Sequence, residues 1–239
     1  MSSATASQKP VIAIPIFPGT NCEQDVAHVV ELFGATPKMM WHSETDLTGV
    51  DAVIIPGGFA HGDYLRTGAI ARFSPVMKEV EEFAAAGKPV LGICNGFQVL
   101  CEAGLLPGAL RKNAGMKFMC KDVELEVTAS SPLTSRLPKG TKRSLPINHF
   151  EGNYTCDDET YQQLIDNDQI VLRYTDNPNG SRDDIAGVCN EARNVVGLMP
   201  HPERASEAIV GSVDGADMMK SFIDSAINSL ESQKEAVPV

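Results

Sequence analysis

Short apolar runs alternate with helical patterns over the first hundred residues. Four runs have the composition of buried strands: VIAIPIF at 11–17, PKMMWH at 37–42, DAVII at 51–55 and PVLGI at 89–93. Apolar positions at helical spacing occupy the intervals 22–33, 74–87 and 94–104. Thr20 and Glu23 match a capping box, and Ser74-Pro75 matches a helix start. The rhythm predicts a doubly wound parallel sheet with helices on both faces.

The pattern changes in the second half of the chain. Strand-like runs with turn residues between them occupy 116–128, 144–154, 169–175 and 185–199, with a hairpin turn expected at 191–194, before an amphipathic helix at 214–230. We find no repeat or linker. The sequence therefore predicts an α/β fold in one domain, residues 11–230, with a flavodoxin-like, mostly parallel sheet and additional antiparallel strands. Residues 1–10 and 231–239 are expected to be disordered tails.

Composition narrows the classes of partner. The net charge of −11 over 239 residues argues against nucleic acid or an anionic membrane as the main partner. No run approaches the roughly 18 apolar residues that a membrane span needs, and the N-terminus lacks the pattern of a secretory signal. The six cysteines show no zinc spacing, so we expect neither a disulfide framework nor a metal site. A cytoplasmic location is the expectation.

The most informative stretch is KPVLGICNGFQVLCEAG at 88–104. A buried strand breaks at Gly92-Ile93-Cys94-Asn95-Gly96, and a helix pattern follows. Gly-x-Cys-x-Gly between a strand and a helix is the layout of a nucleophile elbow. Such a turn sets the sulfur at a helix N-terminus, where the dipole and free N–H groups favour a thiolate. The alternative is an inert cysteine buried at a strand end.

A thiolate needs a proton carrier, and two histidines occur in His-x-Glu patterns. His201 follows an apolar run and is flanked by prolines that fix the backbone. In an extended segment, Glu203 would point the same way and could orient the imidazole. The alternative is a surface ion pair in a polar loop. His149, followed by Glu151, is the rival base, although it could also be a polar residue within a strand.

The sequence patterns that indicate oxyanion donors are weaker than those for the nucleophile and the base. Pro56-Gly57-Gly58 suits a loop with exposed N–H groups, and the N–H of Asn95 follows the nucleophile directly, so Gly58 and Asn95 could form an oxyanion hole. An ordinary turn would have the same sequence. There is no Gly-rich phosphate-binding motif, so any ATP in the pathway would be bound by another polypeptide.

Several motifs together resemble one enzyme family. The elbow with Gln98, the Pro-Gly-Gly loop and Pro200-His201-Pro202-Glu203 resemble class I (triad) glutamine amidotransferases. The chain is similar, more closely, to the glutaminase subunits of phosphoribosylformylglycinamidine synthase, through these segments in order: PGTNC at 18–22, PGGF at 56–59, GDYLR at 62–66, CNGFQ at 94–98, EGNY at 151–154, NGS at 179–181, IAG at 185–187 and MPHPER at 199–204. The resemblance runs from about 11 to 222.

The resemblance implies roles for particular residues. Cys94 would be the nucleophile, completed by His201 and Glu203. Gly58 and Asn95 would be the oxyanion donors, and Gln98 would help to hold the glutamine substrate.

The family's reaction is the ATP-dependent conversion of N2-formylglycinamide ribonucleotide to the amidine, with glutamine as the nitrogen donor. It implies a large ATP-binding synthetase subunit and a small bridging subunit as partners. ATP and Mg would lie on the synthetase, and this chain would bind no cofactor itself.

Two departures from the family pattern stand out: Ala60-His61 replaces an expected Ser-Tyr, and Phe150 replaces an expected glycine. Three other functions stay open on the sequence. The chain could supply ammonia to a different acceptor, it could be a cysteine hydrolase or peptidase on a related fold, or it could be a noncatalytic scaffold with a structural Cys94.

Overall fold

The computed structural model describes residues 9–235, with side chains through Ser229. Its strands and helices, in chain order, are β1 (Val11–Ile16), α1 (Glu23–Leu32), β2 (Thr36–Trp41), β3 (Ala52–Ile55), α2 (Pro75–Ala85), β4 (Val90–Ile93), α3 (Asn95–Glu102), β5 (Ala109–Arg111), β6 (Met119–Val127), β7 (Lys142–His149), β8 (Asn153–Thr155), α4 (Asp158–Asp166), β9 (Ile170–Tyr174), β10 (Ile185–Cys189), β11 (Val195–Leu198) and α5 (Ala216–Glu235). The predicted N-terminal tail falls, except for Lys9 and Pro10, outside the described residues.

Nine strands form one sheet in the order β2-β1-β3-β4-β11-β10-β9-β6-β7. The first five of these pair in parallel, and the remaining pairs are antiparallel. The predicted fold class, a flavodoxin-like parallel sheet extended by antiparallel strands, is therefore confirmed. Every residue of β3, β4 and β11 is buried, which is typical of central strands covered on both faces.

Helices cover both faces because the chain reverses direction along the sheet. The crossover from β1 to β2 runs one way and that from β3 to β4 runs the other, so right-handed connections place α1 and α2 on opposite faces. The helix α1 contacts α5, and the helix α3 packs on β3, β4 and β11. The carboxyl ends of β1, β3 and β4 meet where this reversal occurs, and ligands bind at such a position in open α/β sheets.

The second half contains the predicted hairpin and two elements that the sequence pattern did not predict, the helix α4 and the short strand β5. β10 and β11 pair as expected, and the turn between them includes Arg193 at φ +61°. The helix α4 was missed although Asp157 caps it, accepting a hydrogen bond from the Thr160 N–H at 2.8 Å. The predicted strand at 144–154 is two strands, β7 and β8, and β8 pairs with β5 in a separate small sheet. The last helix continues to Glu235, where a tail was predicted from 231.

The capping box predicted at Thr20 and Glu23 is wrong. α1 begins at Glu23 with Cys22 as its N-cap residue, and the Thr20 hydroxyl instead accepts a hydrogen bond from the Phe17 N–H at 3.0 Å. The hydroxyl therefore closes the turn after β1 rather than the helix end. Pro75 does open α2 as predicted.

The far edge of the sheet curves back towards the centre. β7 is the last strand in the sheet order, yet it contacts the turn Pro202–Ala205, which follows β11. The contact includes a backbone hydrogen bond from the His201 N–H to the Pro146 carbonyl, at 2.9 Å. The end of β7 therefore lies beside the end of β11. Along the described residues, no helix is both long enough and apolar enough to cross a bilayer.

Candidate active site

Cys94 sits on a strained turn between β4 and α3. Its backbone has φ +51° and ψ −105°, a conformation that residues with a side chain rarely adopt. Glycines on either side allow it: a Cβ on Gly96 would lie 2.0 Å from the Ile55 carbonyl oxygen, and one on Gly92 would lie 2.6 Å from Leu100. The elbow predicted from sequence is therefore present, with the helix N-terminus packed directly on the neighbouring strand.

His201 and Glu203 form a buried pair just beyond β11. The His201 Nδ1 lies 2.6 Å from Glu203 Oε1, and their side chains are 1% and 0% exposed. Because the carboxylate can only accept, Nδ1 carries the hydrogen, which directs Nε2 to act on a reacting group. The alternative of a surface ion pair in a polar loop does not hold for side chains buried this deeply.

The sulfur and the imidazole meet across a gap left by a glycine. A Cβ on Gly57 would lie 2.8 Å from His201 Cε1 and 3.4 Å from Cys94 Cβ. β4 and β11 are parallel neighbours, with Ile93 opposite Leu198, so both side chains emerge at the same end of the sheet. Cys94, His201 and Glu203 thus come together as the sequence predicted.

The charge on His201 depends on both partners. Burial lowers the pKa of the imidazole, but the Glu203 carboxylate and the Cys94 sulfur raise it more, and the net pKa rises to about 10. The protonated form of His201, next to the Cys94 sulfur, is therefore favoured at neutral pH. That pair supplies both a nucleophile and a proton for a leaving group.

The two predicted oxyanion donors come from different segments, Gly58 from the loop after β3 and Asn95 from the start of α3. Gly58 has φ +147° and packs so tightly that a Cβ there would lie 2.7 Å from the Asn21 nitrogen. Asn95 opens α3, where backbone N–H groups have no partner within the helix. The Asn95 side chain is used elsewhere, since its Oδ1 accepts the Ala60 N–H at 3.0 Å. Its role as an oxyanion donor stays a prediction for the backbone N–H.

A cavity of about 220 Å³ opens beside Cys94. It is lined by Gly58, Phe59, Asp63, Thr67, Cys94, Gln98, Asn148, His149, Phe150 and Glu151. Gln98 lies in its wall as expected, but its amide is bonded at both ends: Nε2 donates to the Glu151 carbonyl at 2.5 Å, and Oε1 accepts from Asn95 at 2.8 Å. Contact between Gln98 and substrate therefore stays a prediction. Phe150, one of the two departures from the family pattern, also lies at the cavity.

Two carboxylates in this cavity, Asp63 and Glu151, have no role predicted from the sequence. Asp63 lies in a strained loop at φ +54°, and the Asn95 Nδ2 donates to it at 3.3 Å. Glu151 accepts from the Thr67 hydroxyl at 3.1 Å. Burial and the Glu151 charge raise the pKa of Asp63 to about 6. The only sequence signal was that both residues lie in short family motifs.

The rival base His149 also lines the cavity, but it is a poor proton acceptor. Burial and the neighbouring His201 lower the pKa of His149 to about 4, so the ring is neutral at physiological pH. His201 is therefore the better candidate for the base, and His149 needs a different explanation. His61, the other departure, packs edge-on against His42 with ring centroids 5.3 Å apart.

Cys22 adjoins the buried pair. Its sulfur, one nitrogen of His201 and one carboxylate oxygen of Glu203 lie within 4.8 Å of one another, so these three atoms could hold a metal ion. Two observations weigh against that use. The Arg204 guanidinium donates to the Cys22 sulfur at 3.0 Å, which places a positive charge at the site. Burial, with the Glu203 charge, raises the pKa of the Cys22 thiol to about 12, so the thiol stays protonated. The arrangement favours a triad over a metal centre.

Known proteins are similar to this chain over most of its length. A family model described as a CobB/CobQ-like glutamine amidotransferase domain matches residues 9–223. A Rubrobacter xylanophilus protein named phosphoribosylformylglycinamidine synthase subunit PurQ is 54% identical over 216 residues, covering 90% of this chain and 98% of that protein. The protein of the same name from Koribacter versatilis is 52% identical over 219 residues, covering 87% of this chain and 95% of that protein.

Solved structures are similar over nearly the whole chain. A chain in the structure of PurLQS from Thermotoga maritima has a TM-score of 0.83 and 42% identity, covering 93% of this chain and 100% of that chain. A glutamine amidotransferase from the same organism has a TM-score of 0.55 and 16% identity, covering 95% of this chain and 86% of that one. The second likeness concerns the fold alone.

Proposed function

The chain belongs to the CobB/CobQ-like glutamine amidotransferases and, within them, to the family of PurQ subunits of phosphoribosylformylglycinamidine synthase, and from this premise we propose how its residues act. It is the glutaminase subunit of an ATP-dependent amidoligase in purine biosynthesis, with Cys94 as nucleophile and His201 and Glu203 completing the triad. The observation that supports these roles is the buried His201–Glu203 pair next to a cysteine on a strained elbow.

The first half-reaction forms a thioester. The Cys94 thiolate attacks the side-chain carbonyl carbon of glutamine, and the carbonyl oxygen takes the negative charge, facing the N–H groups of Gly58 and Asn95. When the tetrahedral intermediate collapses, the C–N bond breaks and the nitrogen takes a proton from His201. Ammonia leaves, and the γ-glutamyl group stays on sulfur.

The second half-reaction consumes water. Neutral His201 takes a proton from water as the oxygen attacks the thioester, and the C–S bond breaks to release glutamate and the Cys94 thiolate. Glu203 holds Nδ1–H of the ring throughout, at 2.6 Å, so that Nε2 alone exchanges protons. Both half-reactions use the same three side chains.

The carboxylates of the cavity suit the other end of glutamine. No lysine or arginine is among the residues that line the cavity, whereas Asp63 and Glu151 are. Burial and then the nearby Glu151 charge raise the pKa of Asp63, and a cation between the two carboxylates would relieve their repulsion. The α-ammonium group of glutamine is such a cation. Asp63 and Glu151 therefore bind the amino end while Cys94 reaches the amide.

Ammonia passes to a partner. The synthetase subunit, in this proposal, accepts it to convert N2-formylglycinamide ribonucleotide to formylglycinamidine ribonucleotide with ATP and Mg. A small bridging subunit completes the complex, and the assembly works in the cytoplasm. A closed route makes physical sense, because ammonia released into water at neutral pH is protonated and no longer a nucleophile.

Cys94→Ala tests the assignment directly. In the assembled synthase, the variant should lose glutamine-dependent product formation and keep the reaction driven by added ammonium, since the synthetase site is intact. Cys120→Ala, which changes an exposed cysteine, is the matched control and should keep both activities. Glutamine-dependent turnover in Cys94→Ala would reject the triad.

The same assay separates the other functions. An amidotransferase for a different acceptor would hydrolyse glutamine without supporting the purine synthetase. A hydrolase or peptidase would ignore free glutamine and cleave esters or peptides, and a scaffold would do neither.

A further inference from the structure

Among the described residues, the active-site cavity contains a buried ring nitrogen without a hydrogen-bond partner. The atom is Nε2 of His149, a residue that is only 3% exposed. No described residue offers this nitrogen a hydrogen bond. Leaving a buried polar atom unpaired is unfavourable, so such an atom in a native fold calls for an explanation. His149 also lines the cavity that contains Cys94. A ligand in the cavity is therefore the natural partner for Nε2.

The hydrogen-bond network fixes which ring nitrogen carries the hydrogen. Nδ1 of His149 lies 3.1 Å from Oδ1 of Asn113. The Asn113 amide cannot be turned round, because its Nδ2 donates to the carbonyls of Lys117 and His149 at 2.9 and 3.0 Å, and its Oδ1 also accepts the Gly152 N–H at 3.1 Å. Oδ1 can only accept, so Nδ1 of His149 must be the donor. In the neutral ring, Nε2 is then a pure acceptor.

The ring is held firmly in this position. A Cβ on Gly152 would lie 2.2 to 2.5 Å from three atoms of the ring, so the glycine backbone packs against the imidazole. The low pKa of His149, about 4, keeps the ring neutral in the pH range where a glutaminase works. His149 can therefore accept a hydrogen bond but has no proton on Nε2 to give.

Its place in the chain puts this acceptor near the leaving group. The preceding residue, Asn148, has its carbonyl oxygen 3.8 Å from the Cys94 sulfur. His201, which supplies the proton to the departing nitrogen, is close enough to lower the pKa of His149. A carboxamide nitrogen has two N–H donors, and the structure offers two acceptors: the Asn148 carbonyl near the sulfur and His149 Nε2 in the cavity that Cys94 also lines.

We propose that His149 Nε2 accepts a hydrogen bond from the nitrogen that glutamine gives up, first as the carboxamide N–H and then as free NH₃. This inference rests on the proposed glutaminase function and adds a substrate-contacting residue to the triad. No proton moves at His149: the N–H of the substrate donates to Nε2 before the C–N bond breaks, and an N–H of ammonia donates afterwards. Because the ring stays neutral, it holds ammonia without protonating it.

A substrate lacking the donor isolates this contact. L-Glutamate γ-methyl ester forms the same thioester, but its leaving group has no N–H. His149→Asn keeps a donor for Asn113 and removes the acceptor at the Nε2 position, whereas His149→Gln can place its Oε1 near that position. In the assembled synthase, kcat/KM for hydrolysis of glutamine relative to the ester should fall about tenfold or more in His149→Asn, the effect of losing one hydrogen bond. His149→Gln should recover part of the ratio.

A labelling experiment provides the control for folding. A diazoketone analogue of glutamine alkylates the nucleophile and carries no amide N–H, so its rate of Cys94 labelling should be equal in wild type and His149→Asn. An unchanged glutamine-to-ester ratio would overturn the proposal. So would an equal loss of glutamine hydrolysis, ester hydrolysis and labelling, which is expected if His149 only supports the fold. A wild-type chain that hydrolyses no glutamine would instead reject the glutaminase function itself.

Discussion

Replacing Glu203 with glutamine tests the part of the site on which the protonation of the nucleophile depends. Glu203→Gln keeps the size of the side chain and removes its charge, 2.6 Å from Nδ1 of His201 in a fully buried pair. The amide can present its N–H₂ to Nδ1, which would favour the tautomer with the hydrogen on Nε2. The negative charge that opposes the effect of burial on His201 is also lost, so the pKa of His201 should fall from about 10.

The expected loss has a lower and an upper limit. A hydrogen bond to a charged group contributes about 1.5–3 kcal/mol, and each 1.4 kcal/mol is tenfold in rate, so the contact alone accounts for a loss of about 10- to 150-fold. The corresponding change in a serine-protease triad, where the wrong tautomer adds to the loss, lowers kcat about 10⁴-fold. We therefore expect kcat/KM of glutamine hydrolysis to fall by about 10- to 10⁴-fold.

The pH profile provides the sharper measurement. A wild-type His201 with a pKa of about 10 stays protonated through the neutral range, so activity should not fall until the pH approaches 10. In Glu203→Gln the alkaline limb should move to lower pH, because the imidazolium is no longer stabilised. Glu207→Gln is a matched control: Glu207 pairs with His28, whose side chain is 62% exposed, and exposed pairs contribute little. An unshifted alkaline limb in Glu203→Gln, or an equal loss in Glu207→Gln, would refute the reasoning.

Three further predictions address packing, substrate recognition and acid stability. Gly96→Ala should destabilise the fold by about 1–3 kcal/mol or more in denaturant unfolding, since its Cβ would lie 2.0 Å from the Ile55 carbonyl, whereas Gly115→Ala, with no atom within 4 Å, should change little; equal effects would contradict this. Asp63→Asn should raise KM for glutamine about tenfold and leave KM unchanged for 4-carbamoylbutanoate, which lacks the α-amino group. An equal rise in KM for both substrates would contradict a contact between Asp63 and the ammonium group. His149 has a folded pKa of about 4, below the unfolded value of 6.5, so its contribution to stability is complete above pH 6.5 and is lost as the pH falls towards 4, by about 3 kcal/mol; His149→Gln should lose less stability than wild type over that window in thermal unfolding.

The elbow that makes Cys94 the candidate nucleophile could be predicted from the sequence because its causes are local. Gly92 and Gly96 flank Cys94 at the spacing that an elbow requires, and the structure shows the reason: a side chain at either position would overlap Leu100 or Ile55. The central strands could also be predicted from the sequence, since strands covered on both faces are continuous apolar runs. The wrong capping box at Thr20 shows the limit of local signals, because the Thr20 hydroxyl accepts a hydrogen bond from the Phe17 N–H in the turn after β1 instead of capping α1.

The choice of histidine and the shape of the cavity depend on strand order, which no local pattern contains. His201 reaches Cys94 because β11 pairs in parallel with β4, although the two strands are far apart in sequence. His149 lies near the same sulfur because the last strand of the sheet, β7, curves back to the turn after β11. Burial lowers the pKa of both imidazoles, but the Glu203 carboxylate and the Cys94 sulfur raise that of His201 above its usual value, whereas burial and the neighbouring His201 leave that of His149 low. The sequence alone predicted which cysteine is the candidate nucleophile, and the tertiary structure decided which imidazole is the better candidate base for it, because burial and neighbouring charge are properties of the folded chain.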